Sequence, residues 1–183
     1  MNAPAPLAMK INVSECTVRP LLQLDPHVVQ AYWQTLHVHD TLRRRMGDLI
    51  NPLWEDILTL IQTQGRTMYH IVVPQDGEAD LAVSDFSVQN GVGNAARVHF
   101  GFLPAGLSLK EKLALAKASI DFVFSWPEAP SALIGVTPVS NRAACIFALR
   151  SGFKKIAVLP GGARHLGQFE DAMISIYTHK ETP

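Results

Sequence analysis

Cysteine is scarce in this chain, with two in 183 residues, Cys16 and Cys145. They lie far apart and in no spacing typical of metal ligands, so the sequence predicts neither a metal site nor a small disulfide-built domain. The count is compatible with one disulfide, but the spacing does not support it. Cys145 lies in an alanine-rich helical stretch, where cysteine usually packs as a small hydrophobic side chain.

An excess of charge of one sign is also missing. Lys and Arg total 16, Asp and Glu total 16, and the formal net charge is zero. A neutral chain has no long-range field that attracts nucleic acid or an anionic membrane. The basic cluster Arg43–Arg45 is typical of a solvated helix face. We therefore expect neither nucleic acid nor a membrane as a partner.

Long apolar runs are absent, and residues 1–9 show no basic region before an apolar stretch. The sequence thus predicts no membrane span and no secretory signal. Hydrophobic residues nevertheless make up 48% and charged residues 17%, a composition that argues against disorder. We expect a flexible Ala/Pro arm over residues 1–9 and one domain over residues 10–183, in a soluble, cytoplasmic protein.

Hydrophobic periodicity and capping residues predict the order strand, two helices, three strands, helix, strand, helix, two strands. Asp25 before Pro26 begins the first helix, Asp40 the second, and Ser108 with Glu111 forms a capping box for the third. Ser140 or Asn141 begins the fourth helix. The predicted strands lie within Lys10–Arg19, Tyr69–Pro74, Leu81–Val88, Arg97–Leu103, Ala132–Thr137, Ile156–Leu159 and Met173–Tyr177.

The stretch from Leu133 to Tyr177 is the most specific part of the chain. An apolar strand leads through Pro138 and Asn141 into a helix, which ends at Gly152 before Phe153. This order resembles the C-terminal half of the GNAT acyl-CoA N-acyltransferases, and the element order of nearly the whole chain resembles their fold. Short chains of this pattern are also similar to acetyltransferase-like proteins of tailed bacteriophages.

The resemblance implies an α/β (α+β) fold with a mixed central sheet of about six to seven strands and about four helices. In this family the two central parallel strands splay apart and acetyl-CoA lies between them. Its pyrophosphate sits on the N-terminus of the following helix, where backbone N–H groups and the helix dipole favour an anion.

In this chain the phosphate loop corresponds to Pro104–Lys110, where only one of the family's glycines remains, so the loop is degenerate. Lys110 and Lys112 add positive charge nearby. Two alternatives stay open, a Ser108 that only caps a helix and a helix end that caps and also holds phosphate. The resemblance makes the following residues of this region cofactor-binding candidates: Gly101, Phe102, Leu103, Gly106, Leu107, Ser108 and Leu109.

The fourth helix supplies further cofactor-binding candidates. Asn141 falls where the family has an Asn that contacts the pantetheine, and the small Ala144 lets a cofactor arm lie close. Many relatives have a Tyr six residues after this Asn that protonates the leaving thiolate; here it is Phe147, which has no proton to donate. Cys145 and Tyr177 are the nearest alternatives in sequence.

His99 is the candidate general base, because the family places a base on the central strands and histidine ordinarily has a pKa of about 6.5. His70 and Asp85 are weaker candidates on neighbouring strands, and His165 is expected in the last strand–strand loop, where it could touch a substrate. Backbone N–H groups near Gly101–Leu103 are expected to polarise the thioester carbonyl.

Two functions stay open from the sequence. The first is acetyl-CoA-dependent N-acetylation of a primary amine, on a small molecule or a peptide, by direct transfer in a ternary complex. The second is a GNAT-fold protein without turnover that has a structural or binding role, for example in a phage virion. Phe147 and the degenerate loop favour the second. The partners to consider are the amine substrate, a second copy of the chain or a virion component.

Overall fold

Seven β-strands form one mixed sheet in the part of the chain that the computed structural model describes, residues 15–38, 55, 59, 67–74, 80–103 and 106–179. The strands are β1 Thr17–Pro20, β2 Thr67–Pro74, β3 Asp80–Asn90, β4 Ala95–Phe102, β5 Ala132–Pro138, β6 Lys154–His165 and β7 Gln168–Thr178. The helices with described bounds are α1 Pro26–Val38, α2 Leu109–Phe124 and α3 Arg142–Arg150. A 3-10 turn, Leu21–Gln23, joins β1 to α1. Within these residues the predicted element order is confirmed.

The strand order is β1-β2-β3-β4-β5-β7-β6, and β4 with β5 is the parallel pair. This pair is joined only from Ala95 to Arg97 on β4 and from Ala132 to Ile134 on β5. Both strands continue past these points, to Phe102 and to Pro138, while β4 stays paired with β3 and β5 with β7. The predicted splay between the central parallel strands is therefore confirmed.

The two faces of the sheet are covered by different helices. Ile120 and Val123 of α2 pack with a cluster that includes Phe86, Val98 and Leu133, and we call this side the α2 face. Residues of α1 pack on the opposite side, the α1 face, and the cluster there consists mainly of Val29, Tyr32, Trp33, Leu36, Met68, Val72 and Ala82. Because side chains alternate along a strand, neighbouring β4 residues belong to different faces.

The first helix begins as the sequence predicts. Asp25 Oδ1 accepts a hydrogen bond from the His27 N–H at 2.8 Å, and Pro26 takes the first helical position, where no N–H is needed. The predicted second helix falls mostly outside the described residues, although Glu55 and Thr59 are helical. Residues 10–14 of the predicted first strand also lie outside them.

The last hairpin is longer than predicted, and the placement of His165 in its loop is wrong. His165 is the last residue of β6, and only Leu166 and Gly167 separate it from β7. Both turn residues have positive φ, 49° and 84°, as in a two-residue type I′ turn, whose twist matches that of the strands. The hairpin tolerates Gly161 and Gly162 inside β6 because the register shifts between Leu159 and Ala163.

In the described part of the chain, no helix is both long and apolar enough to cross a membrane. Residues 1–9 lie outside that part, so the division into an arm and one domain stays a prediction.

Candidate functional site

The splay exposes the backbone of alternate β4 residues. The Leu103 N–H donates to the Val83 carbonyl at 3.0 Å, and Gly101 lies opposite Asp85 on β3. Since backbone N–H groups point alternately to either side of a strand, those of Gly101 and Leu103 face β3. Those of Phe100 and Phe102 face β5 and the gap. The N–H groups of Gly101 and Leu103 therefore do not face the gap, contrary to expectation. Phe102 stays a candidate for polarising a carbonyl there, and Phe100, which the sequence analysis missed, is a second.

Phe147 of α3 lies against β4 at the splay. Its ring centroid is 6.1 Å from that of Phe100 and 5.2 Å from that of Phe102, at interplanar angles of 70° and 73°. Such edge-to-face contacts are favourable for aromatic rings. The position at which relatives are expected to hold a proton donor is therefore part of an apolar contact on the α2 face.

The N-terminus of α2 lies just beyond the end of β4, and a complete capping box occupies it. The Ser108 N–H donates to Glu111 Oε2 at 2.6 Å, and the Glu111 N–H donates to Ser108 Oγ at 3.3 Å. Within the described residues, the N–H groups of Leu109 and Lys110 have no hydrogen-bond partner, as is usual in a first helical turn. These two groups, rather than that of Ser108, are available to an anion.

Glu111 also changes the charge at this helix end. The hydrogen bonds from Ser108 lower the pKa of the Glu111 carboxyl, so it stays ionised at the positive end of the helix dipole. A cofactor phosphate would meet this carboxylate as well as the charges of Lys110 and Lys112.

Two neighbouring residues of the loop before α2 have different roles. Gly106 is exposed with φ of 92°, a left-handed conformation that favours glycine, whereas Leu107 is buried in a cluster with Leu115. Leu107 thus serves the core, although its backbone borders the candidate phosphate site. Pro104 and Ala105 lie outside the described residues.

Asn141 caps α3 and keeps part of its hydrogen-bonding capacity. Its Oδ1 accepts from the Ala144 N–H at 3.1 Å. Its amide nitrogen has no hydrogen bond to the described residues, so it can still donate to a ligand carbonyl. Burial raises the pKa of the nearby Cys145 thiol, whose Sγ donates to the Pro138 carbonyl at 3.5 Å. Tyr177 lies opposite Leu133, at the closed end of the splay.

The base candidates of β2, β3 and β4 lie on the α1 face. His99 is exposed, pairs across the strands with Ser87 and lies two residues beyond the last β4–β5 pair. His70 and Asp85 are fully buried beneath α1, where Tyr32 Oη donates to Asp85 Oδ2 at 2.7 Å. This bond ties α1 to the sheet, whereas His99 borders the gap.

A second polar cluster lies beyond the end of β5. Ser140 Oγ donates to Glu170 Oε1 at 2.8 Å, His165 Nδ1 lies 2.8 Å from the same oxygen, and Ser140 Oγ lies 3.2 Å from His165 Nδ1. Of these three residues the sequence analysis singled out only His165 for the site. Glu170 was missed because it reaches His165 through the register of the β6–β7 hairpin, and Ser140 because it lies 25 residues away in sequence. No group of three potential metal-ligating side chains occurs in the described ranges.

Comparison with solved structures identifies the fold. The chain is similar to a GNAT-family acetyltransferase from Bacillus anthracis, with a TM-score of 0.72, 12% identity, and coverage of 94% of this chain and 100% of that one. Spermidine N-acetyltransferase from Vibrio cholerae, in complex with CoA and spermine, has a TM-score of 0.71, 12% identity and coverage of 90% and 96%. AAC(6')-Ib, in complex with ribostamycin and coenzyme A, has a TM-score of 0.69, 15% identity and coverage of 91% and 94%.

Neither a protein-family model nor a curated protein matches the sequence. At identities of 12% to 15%, the structural likeness shows the fold and leaves activity and ligands to be tested.

We expect Glu111→Gln to lower the free energy of unfolding at neutral pH, with a difference from the parent chain that disappears in acid. A carboxyl whose pKa is lower when folded stabilises the fold above its unfolded pKa, and this contribution is lost as the pH falls through the folded pKa. Urea denaturation from pH 7 downward measures the difference. Glu128→Gln, on an exposed turn of the chain, is the control and should show no such trend; equal behaviour of the two variants would contradict the role of the capping box.

Proposed function

We propose that this chain, which has the fold of the GNAT acetyltransferases, binds acetyl-CoA between β4 and β5 and transfers its acetyl group to a primary amine. The observation that carries the proposal is the parting of these strands after Arg97 and Ile134. It directs the N–H groups of Phe100 and Phe102 at a gap that ends beside the N-terminus of α2. The N–H donors for the thioester carbonyl and the helix dipole for the phosphates then lie along one path. Acetyl-CoA needs both, because its thioester and its phosphates belong to one molecule.

The residues along this path suit the cofactor in different ways. Leu109 and Lys110 offer N–H groups to the pyrophosphate, and the Asn141 amide nitrogen donates to a pantetheine carbonyl. Ala144 leaves room for the arm beside α3. We keep Gly106 as a conformational requirement of the loop, since its φ of 92° would strain any side chain placed there.

The chemistry is direct attack of the neutral amine on the thioester carbonyl carbon. The N–H groups of Phe100 and Phe102 stabilise the negative charge that develops on the carbonyl oxygen. A base on the α1 face removes a proton from the incoming ammonium, and His99 on β4 is one candidate for this base. Phe147 donates no proton, so water protonates the thiolate, which is a fair leaving group near neutral pH.

A small-molecule amine is the acceptor class that the neighbours support. Two of the similar structures hold coenzyme A together with spermine or ribostamycin, compounds that both contain primary amines. This chain is neutral overall, so selection of a cationic acceptor depends on local carboxylates rather than on a long-range field.

A second candidate, a GNAT-fold protein without turnover that binds a partner or assembles into a virion, is favoured by two features. Glu111 places a carboxylate where the pyrophosphate would bind, and Phe147 packs on Phe100 and Phe102. Both features are single side chains, so point substitutions separate the two candidates.

Calorimetric titration with acetyl-CoA tests the proposed site. We expect binding in the micromolar range, and Glu111→Gln should tighten it several-fold because a carboxylate beside the phosphates is neutralised; the gain should shrink as salt rises. Glu128→Gln is the matched control and should leave affinity unchanged. No binding at millimolar acetyl-CoA in either the parent chain or Glu111→Gln would contradict the proposal and favour the second candidate.

Phe147→Tyr tests the missing proton donor. The new hydroxyl should protonate the thiolate, and we expect kcat for amine acetylation to rise by about 10²-fold, the lower end for general acid catalysis, because the leaving group is already fair. Phe147→Leu keeps the site apolar and should give no gain. Release of the CoA thiol at saturating amine measures both, and an equal response of the two variants would show that position 147 is not beside the thiolate.

We also propose that two copies of the chain pair through β6. Eight of the eleven large hydrophobic side chains that are exposed in the described residues lie in the C-terminal region: Val139, Ile146, Leu149, Ile156, Val158, Leu159, Leu166 and Phe169. β6 forms an edge of the described sheet and has no charge between Lys155 and Arg164. Antiparallel pairing of two β6 strands sets the lysines at opposite ends, whereas parallel pairing opposes like charges.

Ile156→Lys tests this pairing. We expect the parent chain to be a dimer at micromolar concentration and the variant a folded monomer, because each copy would bring a charge into the apolar edge. Sedimentation equilibrium gives the mass and circular dichroism the fold. Leu22→Lys is the control and should stay dimeric. Leu22 is 79% exposed and directly follows β1, the strand at the opposite edge of the sheet from β6. A monomeric parent chain would refute the dimer.

A further inference from the structure

The cluster of Ser140, His165 and Glu170 constrains the protons of the imidazole. Glu170 Oε1 lies 2.8 Å from Ser140 Oγ and 2.8 Å from His165 Nδ1. A carboxylate only accepts hydrogen bonds, so the neutral ring is held with its hydrogen on Nδ1 and its lone pair on Nε2.

His165 Nε2 is buried and makes no hydrogen bond within the described ranges. The whole side chain is 13% exposed, and this exposed part lies elsewhere than at Nε2. A buried polar atom of this kind calls for a specific role, because leaving it without a partner costs free energy. A carboxylate-held ring with an unused basic nitrogen is suited to accept a proton.

The strand registers place this cluster on the α1 face. Arg97 pairs with Ile134 across the parallel strands, and Ile134 pairs with Ile176 on β7. Paired residues share a face, and so do residues two apart on one strand. His99 therefore shares the face of Arg97, and Glu170 shares that of Ile176.

The same registers also give the face on which His165 lies. It pairs with Gln168, which is two residues from Glu170 on β7. His165 and Glu170 thus lie on the α1 face on the β5–β7 side of the splay, and His99 lies on the same face on the β4 side. The two histidines thus share the α1 face, on either side of the splay.

Neighbouring charges have other contacts. The Arg164 guanidinium lies 6.0 Å from the centre of the Phe169 ring, and Asp171 Oδ1 accepts from the Gly161 N–H at 3.2 Å. Glu170 is thus the charged group in direct contact with the imidazole of His165.

We propose that His165 is the base that receives the proton of the acceptor ammonium, with Glu170 and Ser140 as positioning residues. This inference rests on the proposed acetyl transfer. The lone pair of Nε2 takes one proton from the ammonium, and Glu170 stabilises the imidazolium and attracts the cation. The amine nitrogen then bonds to the acetyl carbon and the C–S bond breaks. The nitrogen loses a second proton, which reaches the thiolate through water, while the first passes from His165 to solvent.

Three variants, His165→Gln, Glu170→Gln and His99→Gln, separate the two histidines. With 1,5-diaminopentane as acceptor, we expect His165→Gln to lower kcat by about 10²-fold or more and to abolish the fall in rate at acidic pH. Glu170→Gln should retain that fall and lower kcat, because a Gln amide can turn its nitrogen towards Nδ1 and no longer holds the ring hydrogen there. His99→Gln should retain the acidic fall, whatever its effect on kcat, because the imidazole of His165 is still present. Loss of the acidic fall in His99→Gln but not in His165→Gln would overturn the proposal.

Two measurements keep this result distinct from failure of the proposed function. Calorimetry with acetyl-CoA should give the same affinity for His165→Gln and the parent chain, since the histidine lies outside the cofactor path. Nitrogen-15 NMR of the histidine rings should show His165 with its hydrogen on Nδ1, and its Nε2 resonance should shift when the diamine is added, even without acetyl-CoA. A hydrogen on Nε2, or no shift at saturating diamine, would overturn the proposal whatever the enzyme's activity.

Discussion

The parting of β4 from β5 is the constraint on which the other features depend. Beyond Arg97 and Ile134, β4 stays paired with β3 and β5 stays paired with β7, so the sheet remains intact. The backbone groups of β4 and β5 that face each other, however, no longer form hydrogen bonds between these two strands. Buried backbone groups must find hydrogen bonds elsewhere, which makes such a gap a place for solvent or a ligand. The N-termini of α2 and α3 both follow this gap, because each helix begins shortly after one of the two strands ends.

The backbone around the gap favours acetyl-CoA binding, whereas two side chains there oppose it or do not assist catalysis. The backbone offers donors and helix ends that suit a thioester and its phosphates, yet Glu111 occupies one helix end with a carboxylate and Phe147 provides an apolar ring where an acid would help. A fold hosts many functions, so these local groups, and not the sheet, decide between an acetyltransferase and a binding protein. A low net charge makes local carboxylates correspondingly important for selecting a cationic acceptor.

The C-terminal hairpin links two of the proposals. Its tight Leu166–Gly167 turn extends β6 and β7 far enough to bring His165 beside Glu170, and the same extension gives β6 a long apolar edge. Pairing of β6 with a second copy would therefore hold the strand that positions His165. The β6–β7 hairpin is thus involved in both the proposed dimer and the proposed proton transfer.

The sequence by itself determined the features that depend on neighbours within a few residues. The caps at Asp25, Ser108 and Asn141 and the left-handed Gly152 are local, and from them and the hydrophobic periodicity the order of elements could be predicted. The resemblance of the Leu133–Tyr177 stretch added the splay. Tertiary structure alone decided which N–H groups face the gap and brought His165 to Ser140 across 25 residues. Strand register determines both the direction of these N–H groups and the contact between His165 and Ser140. Register arises from pairing between strands, and no local sequence pattern specifies it.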